Sequence, residues 1–379
     1  MPDVLARSAM AAEPVTRTLG ALAPRSDDAG APTRVAVCTD AAAWDEYVAA
    51  HPDGFGSHEW AWREIFERVF GHTCHYLAAR AESGKIAGVL PIVEIRSLLF
   101  GRSMTSLPFL NFGGVLAASD AVARQLLASA GELARSRGCR HVELRHIGRV
   151  FDHLPCRQHK VTMRLGLCSA GASAPASADL WDRIDRKARN QVRKAQKSNL
   201  TVERGGVDLV PAFYQVFSRN MRDLGTPVYP ARLFDAIMRR FPERARIIIV
   251  RLAGVPIAAG LTIRTREMVE IPWASSIRDY NHLCPNHLLY WHALETAVAE
   301  GAEVFDFGRS TPGEGTFKFK EQWGASPVQL NWEYWLAPGG EIPDHSPKNP
   351  RLQLAIEAWK RLPIPVANLI GPRVVRGIP

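Results

Sequence analysis

One arrangement of strands, a turn and a helix occurs twice in this sequence, and it constrains the fold more than any other feature. The first copy begins with two apolar strands, 75–79 and 86–93, on either side of a Ser-Gly turn. A long helix in the same copy, about 121–137, ends at Gly138 and leads into a third strand at 141–144. The first copy is therefore a β-turn-β unit followed by a helix, a glycine and a strand.

The second copy repeats this order with strand 246–252, turn 253–254, strand 256–263, helix 286–299, Gly301 and strand 304–307. An Ala-Gly step stands at the equivalent place in both copies, at Ala87-Gly88 and at Ala259-Gly260. Duplication of one unit is the economical explanation of such a repeat. Because strands and helices that alternate in this way pack as layers, we predict an α/β (α+β) protein of two tandem domains, each with a mixed sheet flanked by helices.

Length and composition define the predicted domain boundaries. A chain of 379 residues exceeds the size at which a single core stops growing, and its 46% hydrophobic residues are enough for two cores. Residues 1–32 are rich in Ala, Pro, Ser and Asp, so we predict a disordered leader there. We place an N-terminal domain at 33–168, a Ser/Ala/Gly/Pro-rich linker at 169–178, a C-terminal domain at 179–340 and a tail at 341–379.

The sequence disfavours a membrane-spanning protein and a metal-dependent one. No apolar run approaches the roughly 20 residues of a membrane span, and residues 1–30 lack the apolar core of a secretory signal. We therefore predict a cytoplasmic protein. The six cysteines contain no Cys-x-x-Cys pair, which favours reduced thiols, and the Cys and His residues match no standard zinc spacing, so we predict no metal site.

The most basic segment of the chain is a predicted helix at 180–197. Arg189, Arg193 and Lys197 lie on one side of this helix, opposite small apolar residues such as Val192. Together with the net charge of +9, this excess of cations indicates an anionic partner, although a solvated charged face is the alternative. Charge leaves open nucleic acid, a nucleotide-linked substrate, a phosphate cofactor or a weak contact of the basic tail with an anionic membrane surface.

A glycine-rich stretch, 304–324, is the strongest candidate for chemistry. It begins as an apolar strand and contains four glycines that permit a tight backbone: Gly308, Gly313, Gly315 and Gly324. Arg309 and Lys320 supply cationic donors that can hold a phosphate, a carboxylate or a developing oxyanion. The alternative is a β-hairpin with a solvated charged tip.

Two motifs resemble those of a known family. Lys187-x-Arg189-Asn190-x-Val192-Arg193-Lys194-Ala195-x-Lys197 resembles the basic helix of the FemABX-related family, and Phe319-Lys320-x-x-Trp323-Gly324 resembles its Phe-Lys-x-x-aromatic-Gly element. Members of this family are tandem GNAT-type acyltransferase folds, and the resemblance covers roughly residues 33–340. The strand 305–310, followed by the second motif, is similar to the FemAB-like branch associated with exosortase and PEP-CTERM systems, found in bacteria that make extracellular polysaccharide.

The resemblance implies an acyl or aminoacyl transfer to an amine by direct attack, without a covalent enzyme intermediate. Characterised relatives take the acyl group from aminoacyl-tRNA and act on a nucleotide-linked peptidoglycan precursor, whereas ordinary GNAT enzymes use acyl-CoA. Carried over to this chain, Lys320 polarises the donor carbonyl, Phe319 shapes the pocket and Trp323 contacts the substrate. Arg189 and Arg193 lie near the phosphates of an anionic substrate, in agreement with the charge pattern.

One departure from the GNAT pattern concerns the donor. The loop that grips the pyrophosphate of CoA is glycine-rich, but residues 276–286 contain no glycine, so both acyl-CoA and aminoacyl-tRNA remain open as donors. Arg278 is the cationic candidate in that segment, next to the free amides at the start of the following helix. Asp306, Glu314, Tyr290 and His287 are the candidate bases for the acceptor amine, and none of them stands out from the sequence. The alternative to an enzyme is a non-catalytic module that binds RNA or another polyanion through the basic helix.

Overall fold

The computed structural model describes residues 33–97, 100–168, 176–343 and 350–378. These residues divide into two compact units. The C-terminal unit consists of His159–Gln329 with Lys360–Pro365, and the N-terminal unit contains the described residues up to Gln158, Leu330–Trp359 and those from Val366 onward. The predicted leader at 1–32, most of the predicted linker and part of the predicted tail, 344–349, lie outside the described residues.

The strands are β1 (Arg34–Val37), β2 (Thr73–Arg80), β3 (Ile86–Ser97), β4 (Gly101–Thr105), β5 (Leu116–Ala117), β6 (His141–His146), β7 (Cys156–Arg157), β8 (Val161–Gly166), β9 (Leu200–Gly205), β10 (Ala245–Leu252), β11 (Val255–Thr265), β12 (Met268–Ser276), β13 (Val304–Ser310), β14 (Ser326–Gln329) and β15 (Asn331–Leu336). The helices are α1 (Ala41–Ala50), α2 (Ala61–Phe70), α3 (Asp120–Ser136), α4 (Ser177–Arg183), α5 (Arg186–Gln196), α6 (Val210–Asp223), α7 (Ala231–Arg240), α8 (Pro285–Ala299), α9 (Gly315–Glu321), α10 (Pro350–Lys360) and α11 (Ile364–Val375).

The sheet of the N-terminal unit has the order β1-β2-β3-β4-β6-β15-β7, with β5 paired to β3. Helix α3 begins at Ser119, whose hydroxyl accepts a hydrogen bond from the amide of Val122. Its apolar stripe, which includes Leu126 and Ala130, is buried in the core with side chains of β2 and β3. This stripe packs so closely that a Cβ on Gly88 of β3 would lie 2.7 Å from Val122.

The sheet of the C-terminal unit has the order β14-β8-β13-β12-β11-β10-β9, and helices cover both of its faces. On one face, Leu289 of α8 packs over Gly260 of β11 and Ile271 of β12. On the other face, Phe234 of α7 makes an edge-to-face contact with Trp273 of β12, with ring centres 5.5 Å apart.

Both sheets contain the same sequence of strand pairings, which confirms the predicted duplication. In the N-terminal unit, β2, β3 and β4 are successive antiparallel neighbours, and β4 is parallel to β6. In the C-terminal unit, β10, β11 and β12 are successive antiparallel neighbours, and β12 is parallel to β13. The fold is therefore α/β with two mixed sheets, as predicted.

Each sheet is completed by a strand from the other half of the sequence. Strand β8 pairs with β13 and β14 of the C-terminal unit, although it directly follows the N-terminal strands. Strand β15 pairs with β6 and β7 of the N-terminal unit, although it follows the C-terminal strands. The division of the chain thus falls after Gln158, ahead of the boundary predicted at 169–178, and returns after Gln329.

Two predicted elements have a different form in the structure. The basic helix is two helices, α4 and α5, because Asp185 interrupts the first and caps the second by accepting a hydrogen bond from the amide of Lys187. The stretch predicted as a possible hairpin contains the short helix α9 after a turn with a left-handed Gly313. Helices α6 and α7 have no counterpart among the predicted elements.

Two further features concern the described part of the chain. None of its helices is both long and apolar enough to cross a bilayer. All six cysteines fall within it, and none of them forms a disulfide.

Candidate active site

The two parallel strands in the middle of the C-terminal sheet separate from each other. Strands β12 and β13 pair only through Met268–Glu270 and Val304–Asp306, and both continue beyond this pairing without each other. Carboxyl ends of parallel strands that part in this way are a common place for a ligand in open α/β sheets. The residues after Asp306 on β13 are therefore the first place to look for chemistry.

The equivalent place in the N-terminal unit is partly covered by the chain itself, which leaves a cavity lined by His58, Arg145 and His146. Strands β4 and β6 pair through two residues and then separate, but the following segment folds back on β6. The amide of Gly113 donates to the carbonyl of Arg145, and a Cβ on Gly114 would lie 2.0 Å from the ring of His146. We therefore assign the candidate site to the C-terminal unit.

A β-bulge on β13 shapes the candidate site. Three residue steps of β13, from Asp306 to Arg309, span the distance covered by only two residue steps of β8, from Arg164 to Thr162. Gly308 has a φ of 75°, a left-handed conformation that favours glycine. The extra residue brings Asp306 and Arg309 to the same face of the sheet, although they are three residues apart.

Asp306 holds the bulge together. Its carboxylate is fully buried, with one oxygen 2.9 Å from Nε of Arg164. The other oxygen accepts hydrogen bonds from the hydroxyl of Thr162 and from the amide of Gly308, the latter at 2.7 Å. A carboxylate engaged by a guanidinium, a hydroxyl and an amide is poorly placed to take a proton from a substrate, which argues against the base role predicted from the sequence.

Lys320 of α9 also contacts this bulge. The ammonium nitrogen donates to the carbonyl oxygens of Gly308 at 2.8 Å and of Arg309 at 3.0 Å, and the residue is only 6% exposed. Burial lowers the pKa of Lys320 to about 8, a shift that Asp306 opposes and Arg309 reinforces. An ammonium has three N–H donors, so one remains for a substrate atom.

Aromatic residues support helix α9. The ring of Phe319 is half-buried and lies 5.1 Å from the rings of both His287 and Tyr290, at the start of α8. Trp323 is fully buried and packs against Phe307 and Tyr290, so its packing role differs from the substrate contact predicted from its sequence position. Burial also lowers the pKa of His287 to about 4, which keeps this ring neutral at neutral pH.

Strand β8 and the residue just before it contribute three polar residues that the sequence predictions missed. Lys160, Thr162 and Arg164 alternate with apolar residues, so they share one face of the sheet. Asp306 and Arg309 of the neighbouring strand β13 lie on this same face. The ammonium of Lys160 donates to the hydroxyl of Thr311, and burial together with the charge of Arg309 lowers its pKa. The period-two alternation of 160–165 was the available signal, since it predicts a strand with one polar face.

The basic residues of α5 lie beside the start of α8, where the thiol of Cys284 donates to the side chain of Gln191. Arg189 is half-buried and lies 3.5 Å from a carboxylate oxygen of Asp182, and the guanidinium of Arg193 stacks 5.3 Å from the ring centre of Trp181. Lys197 is exposed at the end of the helix. The structure thus gathers these three predicted residues on one helix but ties two of them to α4.

The segment before α8 differs from a glycine-rich phosphate loop. It forms a 3₁₀ turn, Arg278–Leu283, on which Arg278 is exposed. Cys284, with a φ of 59°, donates its amide to Asn281, and the amide of His287 donates back to Cys284. Because the proline at the first position of α8 has no N–H, few amides in this turn are left to hold a phosphate.

Comparisons with known proteins agree with this architecture. A family model described as an acetyltransferase (GNAT) domain matches residues 183–321. A crystal structure of FemX superposes with a TM-score of 0.60 at 14% sequence identity, over 81% of this chain and 98% of that one. A conserved protein of unknown function from Bacteroides thetaiotaomicron superposes with a TM-score of 0.53 at 8% identity, over 81% of this chain and 100% of that one. A comparison with curated protein sequences gave no match.

These similarities concern the fold of both units. The GNAT match covers most of the C-terminal unit, which contains β13, α9 and Lys320, and the likeness to FemX covers both units. The duplicated order of strands gives the N-terminal unit the same topology. The chain therefore consists of two GNAT-like units in tandem.

Proposed function

We propose that this protein transfers an acyl or aminoacyl group to an amine by direct attack, and that Lys320 stabilises the oxyanion. The observation that carries the proposal is the position of Lys320. Its buried ammonium is fixed by two backbone carbonyls at the bulge, beyond the point where β13 leaves β12 in a GNAT-like sheet. A donor fixed in a water-poor site loses little reorganisation energy when charge develops on a substrate.

The proposed step is a nucleophilic acyl substitution. The lone pair of the acceptor amine forms a bond to the donor carbonyl carbon, and the π electrons of the carbonyl move onto its oxygen, which accepts the remaining N–H of Lys320. Collapse of the tetrahedral intermediate breaks the bond from carbon to the thioester sulfur or to the ester oxygen. The leaving group or solvent takes up the proton that the amine loses.

The neighbours of Lys320 have different parts in this proposal. Asp306 is a positioning residue, because it fixes the bulge whose carbonyls hold Lys320. Phe319 places helix α9 against α8 and forms one wall of the site. Arg309 adds positive charge beside Lys320, which favours a substrate with a carboxylate or phosphate group.

For the substrates we infer a class from two observations. The few free amides before α8 argue against a CoA gripped by its pyrophosphate in the usual GNAT manner, so we favour a donor held also by the cations of α5, as an aminoacyl-tRNA would be. The motif at 305–310 and 319–324 supports an amine on a cell-envelope or exopolysaccharide-related acceptor.

The test replaces Lys320 by Met, which keeps the length of the side chain and removes the charge. Transfer is measured with acetyl-CoA or a charged tRNA as donor and a panel of amino-sugar and peptide amines as acceptors. We expect kcat/KM to fall about 100- to 1,000-fold. Lys318→Met is the matched control, because Lys318 lies on the same helix and is exposed. Full activity of Lys320→Met would remove Lys320 from the mechanism.

A second candidate function is RNA binding without catalysis, which the exposed cations of α5 favour. Arg186, Lys187, Lys194 and Lys197 are all exposed on this helix or at its end. This role predicts RNA affinity that falls steeply with salt and is lost in Arg189→Glu/Arg193→Glu. RNA affinity without transfer of any acyl group from the donors above would favour this candidate over the enzyme.

A further inference from the structure

Helix α11 presents two contrasting faces. Ala367, Gly371 and Val375 repeat every four residues and are buried in the N-terminal unit. Val366, Leu369 and Ile370 fall on the opposite side and are 37%, 65% and 39% exposed. The helix is therefore anchored by small residues while its larger aliphatic side chains point into solvent.

Exposed apolar side chains are concentrated at this end of the chain. Seven large hydrophobic residues are exposed in the described residues, and four of them lie on α10 and α11. The other three, Val37, Leu224 and Val255, are scattered singly, which is normal for a protein surface. A cluster of exposed aliphatic residues on one helix indicates a surface that something covers.

The charges around this face have a single sign. Residues 358–379 contain four cations and no acid: Lys360, Arg361, Arg373 and Arg376. Arg373 and Arg376 are exposed, and Arg373 lies one turn after Leu369, with a guanidinium N–H donated to the carbonyl oxygen of Leu369. Cations beside an exposed aliphatic face favour a partner that is both apolar and anionic.

A bilayer surface with anionic lipids offers both properties. A helix of 12 residues is too short to span the hydrocarbon core, but it is long enough to lie in the interface with its aliphatic face among the acyl chains. Arginines on such a helix contact lipid phosphates. A second copy of the chain fits less well, because a symmetric contact through this face brings its arginines close to those of the other copy.

We propose that α11 docks this protein on the surface of a membrane that contains anionic phospholipids. Val366, Leu369 and Ile370 enter the interface, and Arg373 and Arg376 bind the phosphates. This inference does not depend on the proposed transferase activity.

The experiment measures co-sedimentation of the full chain with large unilamellar vesicles, made either of phosphatidylcholine alone or of phosphatidylcholine with 30% phosphatidylglycerol (about this fraction gives a strongly anionic surface). We expect binding to the anionic vesicles only. Leu369→Asp/Ile370→Asp is expected to lower the partition coefficient at least about tenfold, since it places two charges in the apolar layer. Arg373→Glu/Arg376→Glu is expected to abolish binding.

Matched controls separate this face from the rest of the surface. Leu224→Asp/Val255→Asp changes two exposed hydrophobic residues that lie outside the cluster, and Arg239→Glu/Arg240→Glu changes the net charge by the same amount as the α11 arginine variant. Both controls should bind like the wild type. Unchanged vesicle binding in the α11 variants would overturn the proposal and point to the basic helix α5. Absence of vesicle binding, or a dimer in sedimentation velocity that Leu369→Asp/Ile370→Asp dissociates, would also overturn it.

Discussion

The surroundings of Lys320 shift its pKa into the pH range in which enzymes commonly work. Its pKa of about 8 means that the ammonium is mostly charged at pH 7 and mostly neutral at pH 9. Stabilisation of an oxyanion requires the charged form. The proposed mechanism therefore depends on pH in a way that few other lysines would impose.

We predict that log kcat/KM for transfer falls as pH rises through about 8, because the free enzyme loses the proton of Lys320 there. The measurement is a pH profile from 6 to 10 with an acceptor amine of low pKa, so that its own ionisation does not overlap. Lys320→Arg, where it retains activity, should lack the falling limb, since a guanidinium stays charged throughout this range. A wild-type profile that is flat or rising through pH 9 would contradict a cationic role.

The same pKa also predicts a pH-dependent stability. The folded-state pKa of about 8 lies below the unfolded value near 10.4, so between these values the unfolded chain binds more protons and the free energy of unfolding rises with pH. From pH 7 to pH 9 this contribution amounts to about 1 kcal/mol. Urea titrations at both pH values should show the wild type gaining this amount relative to Lys320→Met, which cannot titrate. Parallel pH dependence in the two proteins would show that Lys320 is not desolvated in the native state.

Single residues were predictable from the sequence where a motif fixed their identity, and not where packing fixed their surroundings. The Phe-Lys-x-x-Trp-Gly element singled out Lys320, and the structure places it at the bulge with two carbonyl partners. The ion pair of Asp306 with Arg164 joins residues that are 142 positions apart in the sequence. The burial of Trp323 depends on its packing against Tyr290 and Phe307. No local pattern reveals either of these contacts.

At the scale of elements, the bulge on β13 links the sheet to the site. Its Gly308 amide is held by Asp306, and its carbonyl accepts from Lys320. The left-handed φ of 75° at this residue is what allows the strand to gain one residue without breaking its pairing with β8. The position of the Lys320 ammonium therefore depends on the conformation of one glycine.

Gly308→Ala is expected to destabilise the protein by roughly 1–2 kcal/mol, the cost of a left-handed non-glycine residue, and to lower transfer by a larger factor than that loss of stability explains. Gly313→Ala is the matched control, because Gly313 has a similar φ of 81° but sits in an exposed turn with open space around its Cα. Denaturation midpoints and kcat/KM are measured for both. Equal losses of activity in the two variants would show that the bulge has no special part in the site.

Other elements show which helix boundaries the local sequence predicts. Helix α8 begins one residue earlier than predicted and ends at the predicted residue, because its pattern of apolar residues and its end signals agree. The basic helix was predicted as one element, since its periodicity continues through Ile184 and Asp185, but the Asp185 side chain competes as a cap and divides it. Helices α6 and α7 were missed.

At the scale of the whole molecule, neither sheet is contiguous in sequence. The internal repeat predicted two similar units, and the two strand orders confirm it. The exchange of β8 and β15 was not predictable from the repeat, because pairing partners of a strand are decided by distant residues and not by its own pattern. This exchange has an energetic consequence, since each of the two strands carries a buried charge into the sheet that it completes.

The two charges make the exchange testable in the full chain. Glu333 of β15 accepts the amides of Val150 and Phe151 and lies 2.6 Å from His146, whereas Arg164 of β8 pairs with Asp306. Removing one member of a buried charge pair costs about 3–5 kcal/mol.

In hydrogen-exchange mass spectrometry, we predict that Glu333→Ala lowers protection in His141–His146 and that Arg164→Met lowers it in Val304–Ser310. Each variant is the control for the other. Loss of protection in the opposite pattern, Glu333→Ala in the C-terminal sheet and Arg164→Met in the N-terminal one, is what domains divided at 169–178 would give, because each strand would then stabilise the half of the sequence to which it belongs.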